Sequence, residues 1–213
     1  MHRKDVPQVF QGYELLVDKA AAAFRQVEKE HGPCIKCKRH CSDCCHAVFG
    51  LFIVEAAYIR LHFNQLNIKT KGMVLARCDQ ADRDLKRLEI RLSRHENDPR
   101  MSALALARER LRCPLLNDND ECVLYTYRPI TCRLYGIPTL IHGKARVCGK
   151  AGFKKGERYP VFDLDSIYRD LFMLSKELLE KSGSTDIEKA SLLISVSKAL
   201  KTPMEELMNK TSG

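Results

Sequence analysis

The sequence predicts a mainly α-helical fold with cysteine-rich loops and little β-structure, built around a Cys-ligated metal centre. Apolar residues recur at helical spacing over several long stretches, and the chain has no Trp and only 7% aromatic residues. An interior made of Leu, Ile, Val and Ala favours packed helices over an aromatic-rich β-sandwich. Nine of the ten cysteines fall in two regions rich in polar and turn residues. Closely spaced cysteines in a reducing compartment are typical of metal sites, which predicts the centre.

The pattern divides the chain into three parts. They are an N-terminal helix (1–33), a cysteine-rich metal-binding domain (34–160) and a C-terminal helical extension packed on it (161–213). Apolar positions at helical spacing from Val6 to His31 predict the first helix, and Gly32-Pro33 is a common helix stop. The stretch from Cys34 to Cys45 is too polar and too rich in thiols for a strand or a core helix, which predicts a ligand loop.

Helices are predicted after this loop. The apolar stretch from Phe49 to Leu61 indicates a helix beneath the loop, in which Glu55 is expected to form an interior ion pair rather than to act as an acid–base group. The stretch from Lys69 to Arg112 indicates two long amphipathic helices broken near Asn97-Asp98-Pro99. Their apolar stripes include Met73, Leu75, Leu85, Leu88 and Leu92 in the first, and Leu104, Leu106 and Leu111 in the second.

The remainder contains a second ligand region and two more helices. Residues Cys113 to Pro160 carry four spaced cysteines, several glycines and short β-like runs such as Val123–Tyr127. Asp163 to Lys181 and Ser184 to Lys201 are then expected to be helical, with Ser184 as the N-cap of the second.

Charge and hydropathy limit the functional classes. No stretch approaches the roughly 20 apolar residues that a transmembrane helix needs, and the first residues do not resemble a signal peptide, so a soluble, cytoplasmic protein is expected. The formal charge of +9 suggests an acidic ligand or protein partner. Nucleic acid is a weaker expectation, because metal-bound thiolates change the charge that this count gives.

The cysteines are the main evidence for function. Five of them lie within twelve residues, and four more follow at wider spacing. Thiolates repel one another, so gathering several is costly unless a cation such as zinc or an iron–sulfur core neutralises them. Cys78, at a helical position, is expected to be an ordinary core residue. The expected metal ligands are Cys34, Cys37, Cys41, Cys44, Cys45, Cys113, Cys122, Cys132 and Cys148.

The spacing slightly favours iron–sulfur clusters, including the [4Fe-4S] type, over Zn²⁺. Cys37, Cys41 and Cys44 are too crowded for the two separate CxxC knuckles of an ordinary zinc site, and the bacterial ferredoxin run does not match. Adjacent Cys44 and Cys45 cannot easily direct both sulfurs at one ion, which suggests bridging ligation, a second site or a polynuclear centre.

Residues 34 to about 152 resemble a known family. The motif begins with spaced cysteines that end in the adjacent pair Cys44-Cys45. Two further segments follow in the sequence: Cys113-Pro-Leu-Leu, and Glu-Cys122-Val-Leu-Tyr-Thr-Tyr-Arg128-Pro129-Ile-Thr-Cys132-Arg133-Leu-Tyr. This arrangement is similar to the CxxCxxCC (YkgJ-type) zinc- or iron-chelating domain family. The resemblance implies eight metal-binding cysteines: Cys37, Cys41, Cys44, Cys45, Cys113, Cys122, Cys132 and Cys148. The family has two residues between its first two cysteines, whereas three separate Cys37 from Cys41, so either Cys34 or Cys37 could fill the first position.

Two arginines flank Cys132. Arg128 and Arg133 are expected either to support the bound cofactor, by lowering thiolate pKa values, or to form ordinary ion pairs. The spacing of Cys37, Cys41 and Cys44 also matches the radical S-adenosylmethionine motif. That class needs a partial α/β barrel, which a helical chain does not provide, so the match is interpreted as coincidence.

Three functional hypotheses follow. The first is a cysteine-ligated metal-binding protein that acts in electron transfer or metal handling. The second is a metal-dependent protein-modifying enzyme, since the resemblance implies methylation of protein lysines by some members. The third is a zinc-stapled module that binds nucleic acid or an acidic partner. The basic, glycine-rich segment 142–158 is either a solvated loop, which is favoured, or an anion-binding element.

Overall fold

Helices dominate the computed structural model, which describes residues 6–38, 40–93 and 109–208. Helix accounts for 61% and strand for 7% of it, which confirms the mainly α prediction. Within the described ranges the α-helices are α1 (Val6–His31), α2 (Ile53–Asn64), α3 (Ile68–Leu92), α4 (Ile130–Leu134), α5 (Leu164–Ser182), α6 (Val196–Lys201) and α7 (Met204–Met208). No helix of these ranges is long and apolar enough to cross a membrane.

One small sheet accompanies the helices. Its strands are β1 (Thr139–Ile141), β2 (Lys144–Arg146) and β3 (Phe162–Asp163), in the order β2-β1-β3. Strands β1 and β2 are antiparallel, and β1 and β3 are parallel. His142 and Gly143 connect β1 to β2 with φ values of 51° and 69°, as a two-residue hairpin of type I′ requires. Both of their N–H groups donate to the Asp165 carboxylate, which ties the hairpin to the first turn of α5.

Two of the long predicted helices have the expected positions. Helix α1 ends at His31, directly before Gly32-Pro33. Helix α5 starts after Asp163, whose Oδ1 accepts a hydrogen bond from Ser166 N at 2.9 Å, and it stops at Gly183, where φ is 80°. These boundaries confirm the helix predicted over Asp163 to Lys181.

The second and fourth predicted helices need adjustment. Helix α2 begins at Ile53 rather than Phe49, and the second helix predicted within Lys69 to Arg112 falls mostly on residues outside the described ranges, including Leu104 and Leu106. The part of it that is described, residues 109–112, is not helical.

The predicted apolar stripe of α3 is correct at Leu88 and wrong at its first two positions. Met73 and Leu75 are exposed, whereas Val74, Cys78 and Leu88 are buried. Positions 74 and 78 are four apart and lie on the same helix face as 88, so they form the face that packs on the core.

The strand-like run Val123–Tyr127 is not a strand. It forms a turn followed by a 3-10 turn over Tyr125–Tyr127, in which Tyr127 N donates to Leu124 O at 2.9 Å. Its β-branched and aromatic residues favour a strand, but this local hydrogen bonding closes the chain into a turn.

The predicted helix over Ser184 to Lys201 is also wrong. A 3-10 turn spans Ile187–Ser191, and the chain then extends so that Ile194 and Leu51 exchange two backbone hydrogen bonds of 2.8 and 3.0 Å. Helix α6 starts only afterwards, with Ser195 instead of Ser184 as its N-cap. A long-range backbone pairing therefore interrupts the predicted helix.

The core lies between the long helices. It contains side chains from all three predicted regions, among them Val9 on α1, Ile59 on α2 and Leu171 on α5. Leu124 and Ile130, from the second cysteine region, join the same apolar cluster. The division into a domain and two extensions stays a prediction.

Candidate metal centre

The first cysteine loop connects α1 to α2 through two 3-10 turns. Gly32–Cys34 continues the end of α1, and Asp43–His46 contains the adjacent pair Cys44 and Cys45. Cys45 N donates to Ser42 O at 3.0 Å, and His46 Nδ1 lies 3.0 Å from the same oxygen. His46 thus helps to close the turn that presents Cys44.

Backbone hydrogen bonds join this loop to the second cysteine region. Cys113 N donates to Cys45 O at 2.7 Å, and Leu111 N donates to His46 O at 3.0 Å. Ala47 and Arg110 form an antiparallel bridge beside them. The two cysteine regions, far apart in sequence, are therefore paired directly at Cys45 and Cys113.

A tight turn brings Cys122 back towards Cys113. The Asn117 side-chain oxygen accepts hydrogen bonds from Asn119 N and Glu121 N, each at 2.9 Å. Leu116 and Cys122 form a bridge where the chain returns. The Asn117 turn therefore reverses the chain between the two cysteines.

Five thiols come together in what we term the Cys44 group. Its members are Cys44, Cys45, Cys113, Cys122 and Cys132. Cys44 is at its centre, because its sulfur shares hydrogen bonds with the thiols of Cys45 and Cys132. Cys113 and Cys122 are close enough that a charge on Cys44 affects the ionisation of both.

Three further thiols form the Cys37 group: Cys37, Cys41 and Cys148. Cys37 and Cys41 are hydrogen-bonded, and the ionisation of Cys37 also depends on Cys148 and Cys44. Cys44 therefore interacts with both groups. Cys37 lies against Gly136, where a Cβ atom would be 2.3 Å from its sulfur, so a larger residue at 136 would collide with this thiol.

Cys34 lies apart from both groups. Its carbonyl oxygen accepts a hydrogen bond from Gly152 N at 2.7 Å, and its Cα would be 3.2 Å from a Cβ atom at Gly152. Its thiol acts on Tyr159, and it is not among the neighbours that shift the pKa values of Cys37 and Cys44. Of the two residues that could fill the first ligand position, Cys37 is the one placed among other thiols.

Cys78 is in the core, as expected. Its side chain on α3 is completely buried, and burial raises its pKa to about 12. Among charged neighbours, Asp82 has the largest effect on the pKa of Cys78. Cys78 in turn affects the ionisation of Cys113. Cys78 thus lies behind the Cys44 group without sharing a hydrogen bond with it.

The electrostatics of the Cys44 group favour one thiolate among neutral thiols. Hydrogen bonds from Cys132 and Cys45, and then the Arg128 charge, hold the pKa of Cys44 well below its usual range. The same hydrogen bonds, together with burial, raise the pKa values of Cys132 and Cys45. Burial raises the pKa of Cys113 to about 12. Without a cation, the group therefore stabilises a single negative charge on Cys44.

In the part of the chain that the structure describes, no set of three or more His, Cys, Asp or Glu side chains has the arrangement of a metal site. Ligation requires deprotonated sulfurs directed at a common ion, and the thiols of the Cys44 group do not have that arrangement. The cysteine-ligated metal centre therefore stays a prediction, although its donor atoms are already neighbours.

The two arginines that flank Cys132 have different surroundings. The Arg128 guanidinium stacks on the Tyr125 ring at 3.9 Å, and its Nε is buried without a partner among the described residues. Arg133 donates to the carbonyl oxygens of Arg128 and Thr126, closing the turn. Neither forms a salt bridge with a described residue. The Arg128 charge acts on Cys44 and Cys122, whereas Arg133 interacts with Cys132 and also supports the turn through its hydrogen bonds.

Glu55 does not form the expected ion pair with a described residue. Its carboxylate accepts hydrogen bonds from Phe52 N at 3.3 Å and Ile130 N at 3.1 Å, at the first turns of α2 and α4. Burial raises its pKa to about 7 in spite of these two bonds. Because α4 carries Cys132, Glu55 positions the helix that supplies this thiol.

Asp43 is a site residue that the sequence analysis missed. It is 8% exposed and accepts a hydrogen bond from Cys148 Sγ at 3.2 Å. Its carboxylate lies 2.7 Å from Arg110 and 3.4 Å from Lys150. Burial opposes ionisation, but the Cys148 bond and the two cations still lower its pKa. Its position between Cys41 and Cys44 in the ligand loop was the available signal.

Comparisons of the chain with protein-family models, with curated proteins and with solved structures give no match. The resemblance to the CxxCxxCC family thus stays a prediction that rests on the cysteine motifs.

Proposed function

We propose that the protein binds a metal cofactor through the thiols of the Cys44 and Cys37 groups, and that it acts in electron transfer or metal handling. The observation that carries this proposal is the grouping of the cysteines. The eight that the family resemblance implies are the eight in the two groups, while Cys34 and Cys78 lie outside them.

The donor chemistry supports a soft or borderline metal. All eight donors are sulfur, which suits iron–sulfur clusters or Zn²⁺ and does not suit Mg²⁺ or Ca²⁺. A tetrahedral zinc ion takes four ligands, so eight thiols would serve two ions or a polynuclear centre. Because Cys44 is shared by both groups, we favour iron–sulfur over zinc. A bound cluster would supply one-electron transfer.

The chain's own residues would support such a centre in three ways. Arg128 would offset part of the negative charge of the thiolates. Glu55 would hold α4, and with it Cys132, in place. The Cys45–Cys113 backbone hydrogen bond would keep the two ligand regions together before the metal enters.

Two alternatives remain hypotheses: a metal-dependent enzyme that modifies protein lysines, and a zinc-stapled module that binds nucleic acid or an acidic partner. The enzyme predicts selective binding of S-adenosylmethionine, and the module predicts nucleic-acid affinity that falls steeply with salt.

Anaerobic purification followed by iron, sulfide and zinc analysis tests the proposal. We expect iron and acid-labile sulfide, with absorption near about 400 nm that bleaches on reduction. A colourless protein with stoichiometric zinc would exclude iron–sulfur but keep the cysteine-ligated site. Absence of any metal, after both anaerobic purification and reconstitution with iron, sulfide or zinc, would refute the proposal.

The pair Cys37→Ser and Cys34→Ser provides a matched control within one loop. Cys37 interacts with three other thiols, and Cys34 is not one of them. We expect Cys37→Ser to lower the bound metal and Cys34→Ser to leave it unchanged. The reverse result would assign the first ligand position to Cys34.

A further inference from the structure

A second feature lies beside the cysteines: a cavity of about 530 Å³ between the first cysteine loop, α4, the small sheet and the start of α5. This volume is within the range of sites for small molecules. The basic, glycine-rich segment singled out in the sequence contributes Arg146, Gly149 and Lys150 to its wall. The cavity is therefore a candidate for the anion-binding role considered for that segment.

The charged side chains around the cavity are unbalanced. Arg110, Arg146 and Lys150 line it, whereas Asp43 is the one carboxylate of the lining. Asp43 forms salt bridges with Arg110 at 2.7 Å and with Lys150 at 3.4 Å, so one negative charge faces two positive charges. The lining thus keeps an excess of positive charge, which attracts an anion.

Arg146 is the cation most available to a ligand. It is exposed on β2, and it forms no salt bridge with any residue in the described ranges. A guanidinium can donate two parallel hydrogen bonds to a carboxylate or a phosphate. Its position is fixed by the β1–β2 pairing, in which Arg146 lies opposite Thr139.

The rest of the wall is largely apolar or aromatic. Phe49, Val147, Ile141 and Leu134 line it, together with Tyr168. Tyr168 shares a side-chain hydrogen bond with Thr131, which is next to Cys132 in α4. A ligand of inorganic phosphate alone would leave this surface without contact, whereas an organic body would cover it.

We propose that this cavity binds a small organic anion, with a carboxylate or phosphate group held by Arg146 and an apolar body against Phe49 and Tyr168. The proposal does not require a bound metal. It adds a ligand site beside Cys148 and α4 to the proposed metal centre, and it uses the one arginine of the lining that Asp43 does not neutralise.

The test is calorimetric titration of the full chain with phenyl phosphate, phenylacetate, benzylamine and inorganic phosphate, with metal content measured in every sample. Phenyl phosphate or phenylacetate should bind with a Kd below about 1 mM. Inorganic phosphate and benzylamine should bind at least about tenfold more weakly. Comparing the two organic anions distinguishes a phosphate ligand from a carboxylate ligand.

The variants Arg146→Gln and Lys144→Gln remove one positive charge each from the same exposed strand. Lys144 is not part of the cavity lining. Arg146→Gln should weaken binding of the organic anion about tenfold, as expected for a charge-assisted hydrogen bond, and Lys144→Gln should change it less than about twofold.

The proposal is overturned if neither organic anion binds at about 10 mM, if benzylamine or inorganic phosphate binds equally well, or if the two variants weaken binding equally. Equal weakening would indicate a diffuse effect of surface charge. Loss of anion binding in a variant with normal metal content separates this site from the metal centre. Normal anion binding by a chain that takes up no metal, even after reconstitution, would contradict the metal proposal alone.

Discussion

Two regions of the molecule are stabilised in different ways. The helical side, formed by α1, α2, α3, α5 and α6, buries apolar side chains such as Ile59, Ile167 and Leu200 completely. The thiol side, formed by residues 34–38, 40–52 and 109–163, also buries apolar side chains such as Leu116 and Ile130, but its loops are in addition joined by backbone hydrogen bonds and contain the clustered thiols. Backbone hydrogen bonds contribute little net stability, and clustered thiolates repel one another unless a cation neutralises them, so the second region has a need that the first does not have. We therefore expect a bound metal to matter chiefly for the thiol side.

The largest effect is expected for Cys44→Ser, because Cys44 interacts with both thiol groups. The variant should lose most of the bound metal, and its Tm should fall by about 10 °C or more, since metal binding and folding are coupled. Metal analysis and thermal unfolding measure both effects.

A chelator provides the control for Cys44→Ser. Once metal is removed, the variant and the original chain should unfold at nearly the same temperature. Unchanged metal content in the variant would contradict its place in the site. A Tm difference that persists after chelation would show that the stabilising effect of Cys44 does not depend on metal.

Glu55 lies where the two sides meet, and its effect should depend on pH. Its pKa is raised to about 7 from an ordinary value of 4.5, so the folded state favours the protonated form. Its contribution to the free energy of unfolding is full below pH 4.5 and is lost as the pH rises to about 7. The linked change is at most about 3 kcal/mol.

Glu55→Gln should remove this decline, because Gln has no charge to bury. Urea unfolding of the chelated protein between pH 4.5 and 8 measures the difference between the two chains. Parallel pH profiles would show that Glu55 titrates normally. Glu109→Gln, at an exposed ion pair with Arg91, is the control that should not alter the profile in this range.

The sequence predicted the helical side better than the thiol side, for reasons visible at particular residues. Helix α1 was predicted with its observed ends, because its periodicity is unbroken and Gly32-Pro33 stops it. The prediction of one helix over Ser184 to Lys201 was wrong because Ile194 pairs with Leu51. Local periodicity cannot identify a partner so distant in the sequence. The strand-like interpretation of Val123–Tyr127 was wrong because turn hydrogen bonds outweigh the strand preference of its residues.

For the thiols, too, the sequence predicted some properties and not others. Spacing alone identified nine candidates, but the separation of Cys34 from Cys37 depends on Gly152 and Gly136, which lie far away in the chain. The role of Asp43 depends equally on the distant residues Arg110 and Cys148. Such contacts are set by the folded chain, and the local sequence shows only that Asp43 lies within the ligand loop.

Gly136→Ala should disturb the thiol side specifically. The added methyl group would lie 2.3 Å from Cys37 Sγ, so Cys37 or the backbone must move. We expect a loss of about 2 kcal/mol in the free energy of unfolding, together with less bound metal. Gly72→Ala is the matched control, because its Cβ meets nothing within 4 Å on α3. It should stabilise the chain by about 0.8 kcal/mol and leave the metal unchanged.

The smallest effect is expected for Cys78→Ala. Removing this buried sulfur from α3 should cost about 1 kcal/mol through a small cavity, and the metal content should stay the same. Denaturant unfolding and metal analysis test both statements. Loss of metal would assign Cys78 to the metal site instead of the core. This outcome is informative because Cys78 lies close to Cys113.

The pairing of Cys45 with Cys113 has a consequence during synthesis. About 70 residues separate the two, so a ribosome adding roughly 5–20 residues each second completes the first loop about 3–14 s before Cys113 exists. Throughout that interval five cysteines of the nascent chain have no partner segment to enclose them. Their exposure to oxidants, and to stray metal ions, is therefore greatest before the fold that would shield them has been made.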